Sequence, residues 1–158
     1  MDFTIITKSP EETKNLGKDV SKLVKPGDIL AFYGELGAGK TCFIQGISLG
    51  LEVQDYVTSP SFTIINEYQG KVPIYHFDLF RLDKAEEILE LGYEEYFYGK
   101  GLTVIEWAEK IEQLLPKENL KIEIKFKDRY QRTISFIPQG DRFNKFLEEL
   151  NRIENFRD

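Results

Sequence analysis

Gly34-Glu35-Leu36-Gly37-Ala38-Gly39-Lys40-Thr41 is a complete G-x-x-x-x-G-K-[ST] element, and its reading decides the fold. The glycines let successive backbone N–H groups converge on phosphate oxygens. Lys40 has the reach for the β- and γ-phosphates, and the Thr41 hydroxyl is a ligand for Mg²⁺. Before the loop, Asp28-Ile29-Leu30-Ala31-Phe32-Tyr33 is a short apolar run after the Pro26-Gly27 turn, the pattern of a buried parallel strand. After it, residues 40–51 carry Phe43, Ile44, Ile47 and Leu51 at helical spacing. Strand, glycine loop and helix in that order aim a helix N-terminus, with its partial positive charge, at a polyphosphate.

The 158 residues fit one domain, taken as 1–158, with a substantial core and no room for two. A composition of 41% hydrophobic and 30% charged residues is ordinary for a soluble globular chain. No run approaches 18 apolar residues, and Met1-Asp2-Phe3-Thr4 lacks the order of a signal peptide. The expected location is therefore the cytoplasm, with no membrane contact. The single cysteine, Cys42, permits no internal disulfide and agrees with a reducing compartment. A net charge of −6 argues against gripping nucleic acid alone through a general positive field.

Working outward from the loop, residues 3–7 read as a first strand. Ser9-Pro10-Glu11-Glu12 announces a helix, with Ser9 as N-cap, Pro10 at the first position and Glu12 closing a capping box. Leu16, Val20 and Leu23 form its apolar face. Thr58-Ser59-Pro60-Ser61-Phe62 must be a loop. Residues 62–68 and 72–80 then flank a hairpin turn at Gln69-Gly70-Lys71. A further helix is expected to be capped by Asp83 and Glu86, to pack through Ala85, Ile88 and Leu89, and to stop at Gly92. Residues 102–105 are a second buried run, 107–115 a helix stopped by Pro116, and Ile122, Ile124 and Phe126 alternate in a strand wet on one face. Residues 133–137 pair back onto that strand. A last helix is capped by Asp141 and packs through Phe143, Phe146, Leu147 and Leu150. The fold class is α/β: a P-loop three-layer fold with a mixed, partly parallel sheet and helices on both faces.

A phosphate loop needs a second acid at the end of a neighbouring strand, because Thr41 alone cannot hold a metal ion. Glu106, closing the run 102–105, is one candidate, expected at the carboxyl edge of the sheet. Asp78 is the other, in Tyr75-His76-Phe77-Asp78-Leu79-Phe80-Arg81, where His76, Asp78 and Phe80 would share a strand face. Against both stands the ordinary reading of a solvated acid at a strand end. His76, the single histidine, reads as packed and hydrogen-bonded, since one ligand makes no zinc site. Cys42 reads as a small residue opening the helix. Trp107 either faces the nucleotide or anchors its helix on the sheet. Arg129, Arg132 and the lysines of 121–127 form either a phosphate or RNA patch or a solvated face. No Asn-Lys-x-Asp guanine element is present, Asn144-Lys145 being followed by Phe146-Leu147, so the default nucleotide is ATP.

The phosphate loop, Thr58-Ser59-Pro60-Ser61-Phe62, Tyr75 to Arg81 and Ile105-Glu106-Trp107, in that order and spacing, resemble the TsaE (YjeE) family of small bacterial P-loop ATPases over about residues 3–138. The resemblance implies an ATP- and Mg²⁺-dependent ATPase, weak alone and stimulated by partners. It implies service in threonylcarbamoyladenosine modification of tRNA next to the anticodon, with TsaB and TsaD, TsaD carrying the transfer. The chain would be monomeric alone and would meet tRNA indirectly. The implied nucleotide-binding set is Glu35, Leu36, Gly37, Ala38, Gly39, Lys40, Thr41, Cys42 and Thr58, with Thr41 and Glu106 as metal ligands. Lys40, Asp78 and Glu106 form the implied catalytic set, Asp78 organising water, and Thr58 and Ser59 sit in a switch-like loop. By the same likeness, residues 7–11 and 130–132 border the adenine. Departures from the family pattern are Ser61 and Cys42 where threonine is usual, and Phe80 where tyrosine is common. Two other readings are a small-molecule kinase, for which no arginine-bearing lid is evident, and a nucleotide-dependent binding switch.

Overall fold

The structure is a computed structural model that describes residues 2–34, 39–54 and 65–155. The expectations for Glu35, Leu36, Gly37, Ala38, Thr58, Ser59 and the rest of 55–64 therefore lie outside the described residues. Seven strands form one sheet: β1 Phe3–Thr7, β2 Ile29–Gly34, β3 Ile65–Tyr68, β4 Ile74–Asp78, β5 Leu102–Glu106, β6 Asn119–Phe126 and β7 Arg132–Gln139. Their spatial order is β1-β7-β6-β2-β5-β4-β3. The central strands β6, β2, β5 and β4 are mutually parallel, while β1 and β7 on one side and β3 on the other pair antiparallel. This is the mixed sheet expected from the sequence.

A parallel strand covered on both faces must be apolar at every position. β5 is buried from end to end, and β2 sends Leu30 and Phe32 to one core and Ile29 and Ala31 to the other. The first core packs under α1 Pro10–Ser21, α2 Lys40–Gly50 and α5 Asp141–Asn155. The second lies under α3 Glu86–Leu89, α4 Tyr93–Phe97 and a 3₁₀ segment at Ala108–Leu114.

Local signals behave as physics requires at α1. The Glu12 N–H donates to Ser9 Oγ at 3.1 Å and the Lys8 N–H donates to Glu12 Oε1 at 3.1 Å. Between α1 and α2 the two backbones nearly touch. A Cβ on Gly46 would stand 2.0 Å from the Lys14 carbonyl oxygen, and one on Gly17 would stand 2.2 Å from that of Phe43. This contact fixes α2 against its neighbour. At α5 the Arg142 guanidinium forks onto Asp28, with Nη2 to Oδ2 at 2.7 Å and Nε to Oδ1 at 3.2 Å, tying the helix to the entry of β2.

Four expectations need correction. The helix after β4 is only four residues long. Its N-cap position is Ala85 with no side-chain cap, Asp83 uses its N–H on Glu87 Oε2, and Leu89 is 51% exposed. Gly92 does interrupt it, in left-handed conformation, but α4 begins at once. Residues 107–115 are not an α-helix: Trp107 at φ 61 turns the chain sharply, and Ile111 at φ −131 breaks the helical run. Phe126 is 45% exposed, at the very end of β6, and does not join the buried face that Ile122 and Ile124 form. At the last helix, Asp141 is the first helical residue, and Glu118 Oε2 accepts the Arg142 N–H at 3.1 Å.

The helix contact leaves no room for a methyl group. Gly46→Ala is expected to lower unfolding stability by about 1–3 kcal/mol, the usual cost of overpacking, because the obstacle is backbone and cannot swing aside. Urea unfolding of the variant checks this; an unchanged midpoint would show that the helices separate freely.

Candidate active site

Sheet register builds the site. β4 and β5 end side by side, with Asp78 opposite Glu106, and β2 reaches the same level with Phe32 opposite Glu106. Alternation along β4 and β5 puts Asp78 and Glu106 on the face covered by α2, which starts at Lys40 just after Gly39. Gly39 has φ 105, a left-handed conformation that favours glycine, and turns the loop into the helix.

Lys40 is 5% exposed. Its ammonium donates to the Gly34 carbonyl at 3.1 Å and stands 4.1 Å from the centroid of the Trp107 ring. Burial lowers its pKa, and the nearby carboxylates of Glu106, Glu109 and Asp78 oppose that shift. The lysine is thus a buried cation held by a backbone carbonyl and an aromatic face, with three acids favouring its charge from further off. Trp107, left open between two roles by the sequence, carries this ring contact and also packs on Phe80 at 5.3 Å between centroids. Its φ of 61 is rare for a bulky residue, and such strain concentrates at functional sites.

Glu106 is buried and hydrogen-bonded through Oε2 to His76 Nε2 at 2.7 Å, with the histidine fully buried. The packed, hydrogen-bonded reading of His76 agrees with this. Asp78 accepts the Phe80 N–H at Oδ1, 3.1 Å. Burial raises its pKa above the ordinary aspartate value; the Phe80 bond opposes this, Glu106 adds to it, and His76 and Lys40 oppose it. The Cys42 thiol donates to the Pro10 carbonyl at 3.0 Å, and burial raises its pKa, so no reactive thiolate is built here. Beside it, Ser9, Pro10, Thr13, Gly39, Cys42, Arg129, Tyr130 and Arg132 line a cavity of about 220 Å³.

The sequence profile described as "Threonylcarbamoyl adenosine biosynthesis protein TsaE" matches residues 7–134. That span contains the phosphate loop, Asp78, Glu106 and the whole parallel sheet. The chain belongs to the TsaE family. The tRNA threonylcarbamoyladenosine biosynthesis protein TsaE of Bacillus subtilis is 45% identical over 150 residues, 94% of either chain. The protein of the same name from Treponema pallidum is 38% identical over 120 residues, 76% of this chain and 89% of that one. The crystal structure of Bacillus subtilis YdiB superposes with a TM-score of 0.87 at 41% identity, covering 98% of this chain and 97% of that one. As in TsaE relatives named for it, the family assignment places the chain in tRNA threonylcarbamoyladenosine biosynthesis. No described helix is long and apolar enough to cross a membrane.

Within this TsaE fold, Gly39, Lys40, Thr41, Asp78 and Glu106 gather at one sheet edge, and Cys42 lies at its flank. Sequence reasoning missed Glu109 as a third acid around Lys40, because it had placed that residue in a regular helix. It also missed that His76 bonds Glu106, a pairing set by the β4–β5 register and carried by no local sequence signal.

The Asp78 shift has a stability consequence. A carboxyl whose folded pKa is raised favours folding below its unfolded value, near 3.8, and loses that contribution as pH rises through the folded value. Asp78→Asn removes the loss, so nucleotide-free Asp78→Asn protein is expected to melt above the parent at pH 7. The gap should close as pH falls toward 4. Melting curves across that range check the sign; a variant less stable at pH 7 contradicts it.

Proposed function

We propose that this chain is an ATP-binding, Mg²⁺-dependent ATP-hydrolysing subunit that serves threonylcarbamoyladenosine modification of tRNA together with TsaB and TsaD. The observation that carries the reading is the buried Lys40 ammonium at the start of α2, facing the acids that end β4 and β5. A buried cation at a helix N-terminus supplies what a triphosphate needs, and two carboxylates beside it supply what the metal and the attacking water need.

The residues fit Mg²⁺. Thr41 and Glu106 offer hard oxygen donors, and no group of three or more His, Cys, Asp or Glu among the described residues could hold a metal ion unaided. Mg²⁺ characteristically takes one or two protein oxygens and completes its shell with phosphate and water. When bound with the nucleotide, it neutralises charge on the β- and γ-phosphate oxygens. Lys40 adds a fixed positive charge there. Asp78 orients the attacking water through Oδ2, since Oδ1 is taken by the Phe80 N–H. Its raised pKa makes it a better proton acceptor than an ordinary aspartate.

ATP is the nucleotide, and the cavity at Ser9, Cys42 and Tyr130 receives the adenine. It flanks the start of α2, and it offers Tyr130 as an aromatic surface and Arg129 and Arg132 as cations. The net charge of −6 suits a subunit that reaches tRNA through its partners. On its own the chain is a monomeric, cytoplasmic protein of weak turnover.

Lys40→Ala is expected to weaken ATP binding about tenfold or more, the scale of losing a charge-assisted contact. Asp78→Ala should bind ATP normally and lose turnover on the order of 100-fold. Steady-state phosphate release with and without TsaB and TsaD tests the partner dependence; equal rates would sink it. Tyr130→Ala should weaken ATP roughly fivefold, on the usual scale of base stacking, while inorganic triphosphate competes as before. Equal weakening of both would place the base elsewhere.

A further inference from the structure

We infer that His76 is a positioning residue for Glu106: its imidazole fixes one carboxylate oxygen so that the other is presented to Mg²⁺. The inference rests on the reading of Glu106 as the metal-side acid and goes beyond it by assigning a role to a residue that touches neither nucleotide nor metal.

The geometry is specific. His76 Nε2 lies 2.7 Å from Glu106 Oε2, with both residues out of water. His76 is opposite Val104 in the strand register, so the bond runs diagonally, two residues forward along β5, to the acid at its end. The other ring nitrogen, Nδ1, is buried and has no hydrogen-bond partner among the described residues. A carboxylate oxygen can only accept, so Nε2 carries a proton and the ring donates to Glu106. Around it are Ile74 and Val104 on the same sheet face and the Tyr68 ring at 6.4 Å.

An apolar side chain would fill this space without burying an unsatisfied nitrogen, which costs about 1–3 kcal/mol. Packing therefore does not account for a histidine; the bond to Glu106 does. Glu106 itself is 4% exposed, and a buried carboxylate is held in one orientation only by what bonds it. The His76 bond engages Oε2, so Oε1 is the oxygen assigned to the metal. Mg²⁺ tolerates little departure from octahedral geometry, so rotation of the carboxylate translates into lost metal affinity. Hydrogen-bond partners of metal ligands elsewhere are worth about 10–100-fold in metal affinity.

The test uses binding, not turnover. Affinity for a non-hydrolysable ATP analogue is measured by calorimetry in EDTA and across a Mg²⁺ titration, for the parent, His76→Phe and His76→Gln. Phe keeps the bulk and removes the donor. Gln places an amide N–H where Nε2 stands. The expected result for His76→Phe is unchanged analogue affinity in EDTA and a Mg²⁺ half-saturation raised about tenfold or more. His76→Gln should return within about threefold of the parent. A Mg²⁺ dependence identical in the parent and His76→Phe overturns the inference and leaves the metal reading standing. Equal loss by Phe and Gln, extending to EDTA conditions, also overturns it, since that is the signature of packing. A parent indifferent to Mg²⁺ overturns both readings. If His76→Phe does not fold, His76→Asn, whose amide is too short to reach, takes its place against Gln with the same outcomes.

Discussion

The buried charge of Lys40 is the constraint around which the rest is arranged. A lysine 5% exposed keeps its charge at a cost, and the carboxylates of Glu106 on β5, Glu109 beyond it and Asp78 on β4 act against the lowering of its pKa by burial. Bringing those residues to one point requires β4 and β5 to run parallel and end together next to β2. That arrangement in turn requires strands apolar on both faces and helices on both sides. The two cores flank the three strands β2, β4 and β5 that reach this level together.

The helix that carries Lys40 is positioned with equal economy of space. Gly17 and Gly46 let α1 and α2 approach until backbone meets backbone, which locks the rotation of α2 and therefore the direction of its first turn. On the opposite face the site is closed by irregular structure. Trp107 takes a left-handed conformation immediately after Glu106, and its ring lies under the Lys40 ammonium while packing on Phe80. A regular helix from residue 107 would have carried the indole elsewhere. The strain at Trp107 thus accompanies its place at the site.

Membership of the TsaE family connects this geometry to tRNA threonylcarbamoyladenosine biosynthesis. A small acidic chain that gathers Lys40, Asp78 and Glu106 at one end of its sheet suits the proposed supporting role, in which nucleotide chemistry would be coupled to work on other subunits. The buried His76–Glu106 pair extends the site one layer inward, from the groups that would meet ligand to the group that holds one of them still.

By itself the sequence determined the strand and helix on either side of the glycine motif, the two buried runs 28–33 and 102–105, and the candidacy of Asp78 and Glu106. These were legible because each depends on local rules: glycine spacing at Gly34 to Thr41, unbroken apolar runs in parallel strands, the Ser9 to Glu12 cap. Where the outcome depended on residues distant in sequence, local rules failed. The segments 83–92 and 107–115 have helical periodicity, yet tertiary packing broke them into a one-turn helix and a kinked 3₁₀ segment. The pairing of His76 with Glu106, 30 residues away, and the ring of acids around Lys40 exist only through the β4–β5 register. Periodicity reports which face of an element avoids water; which residues meet across two elements is set by strand register and helix contact, and those belong to the folded chain alone.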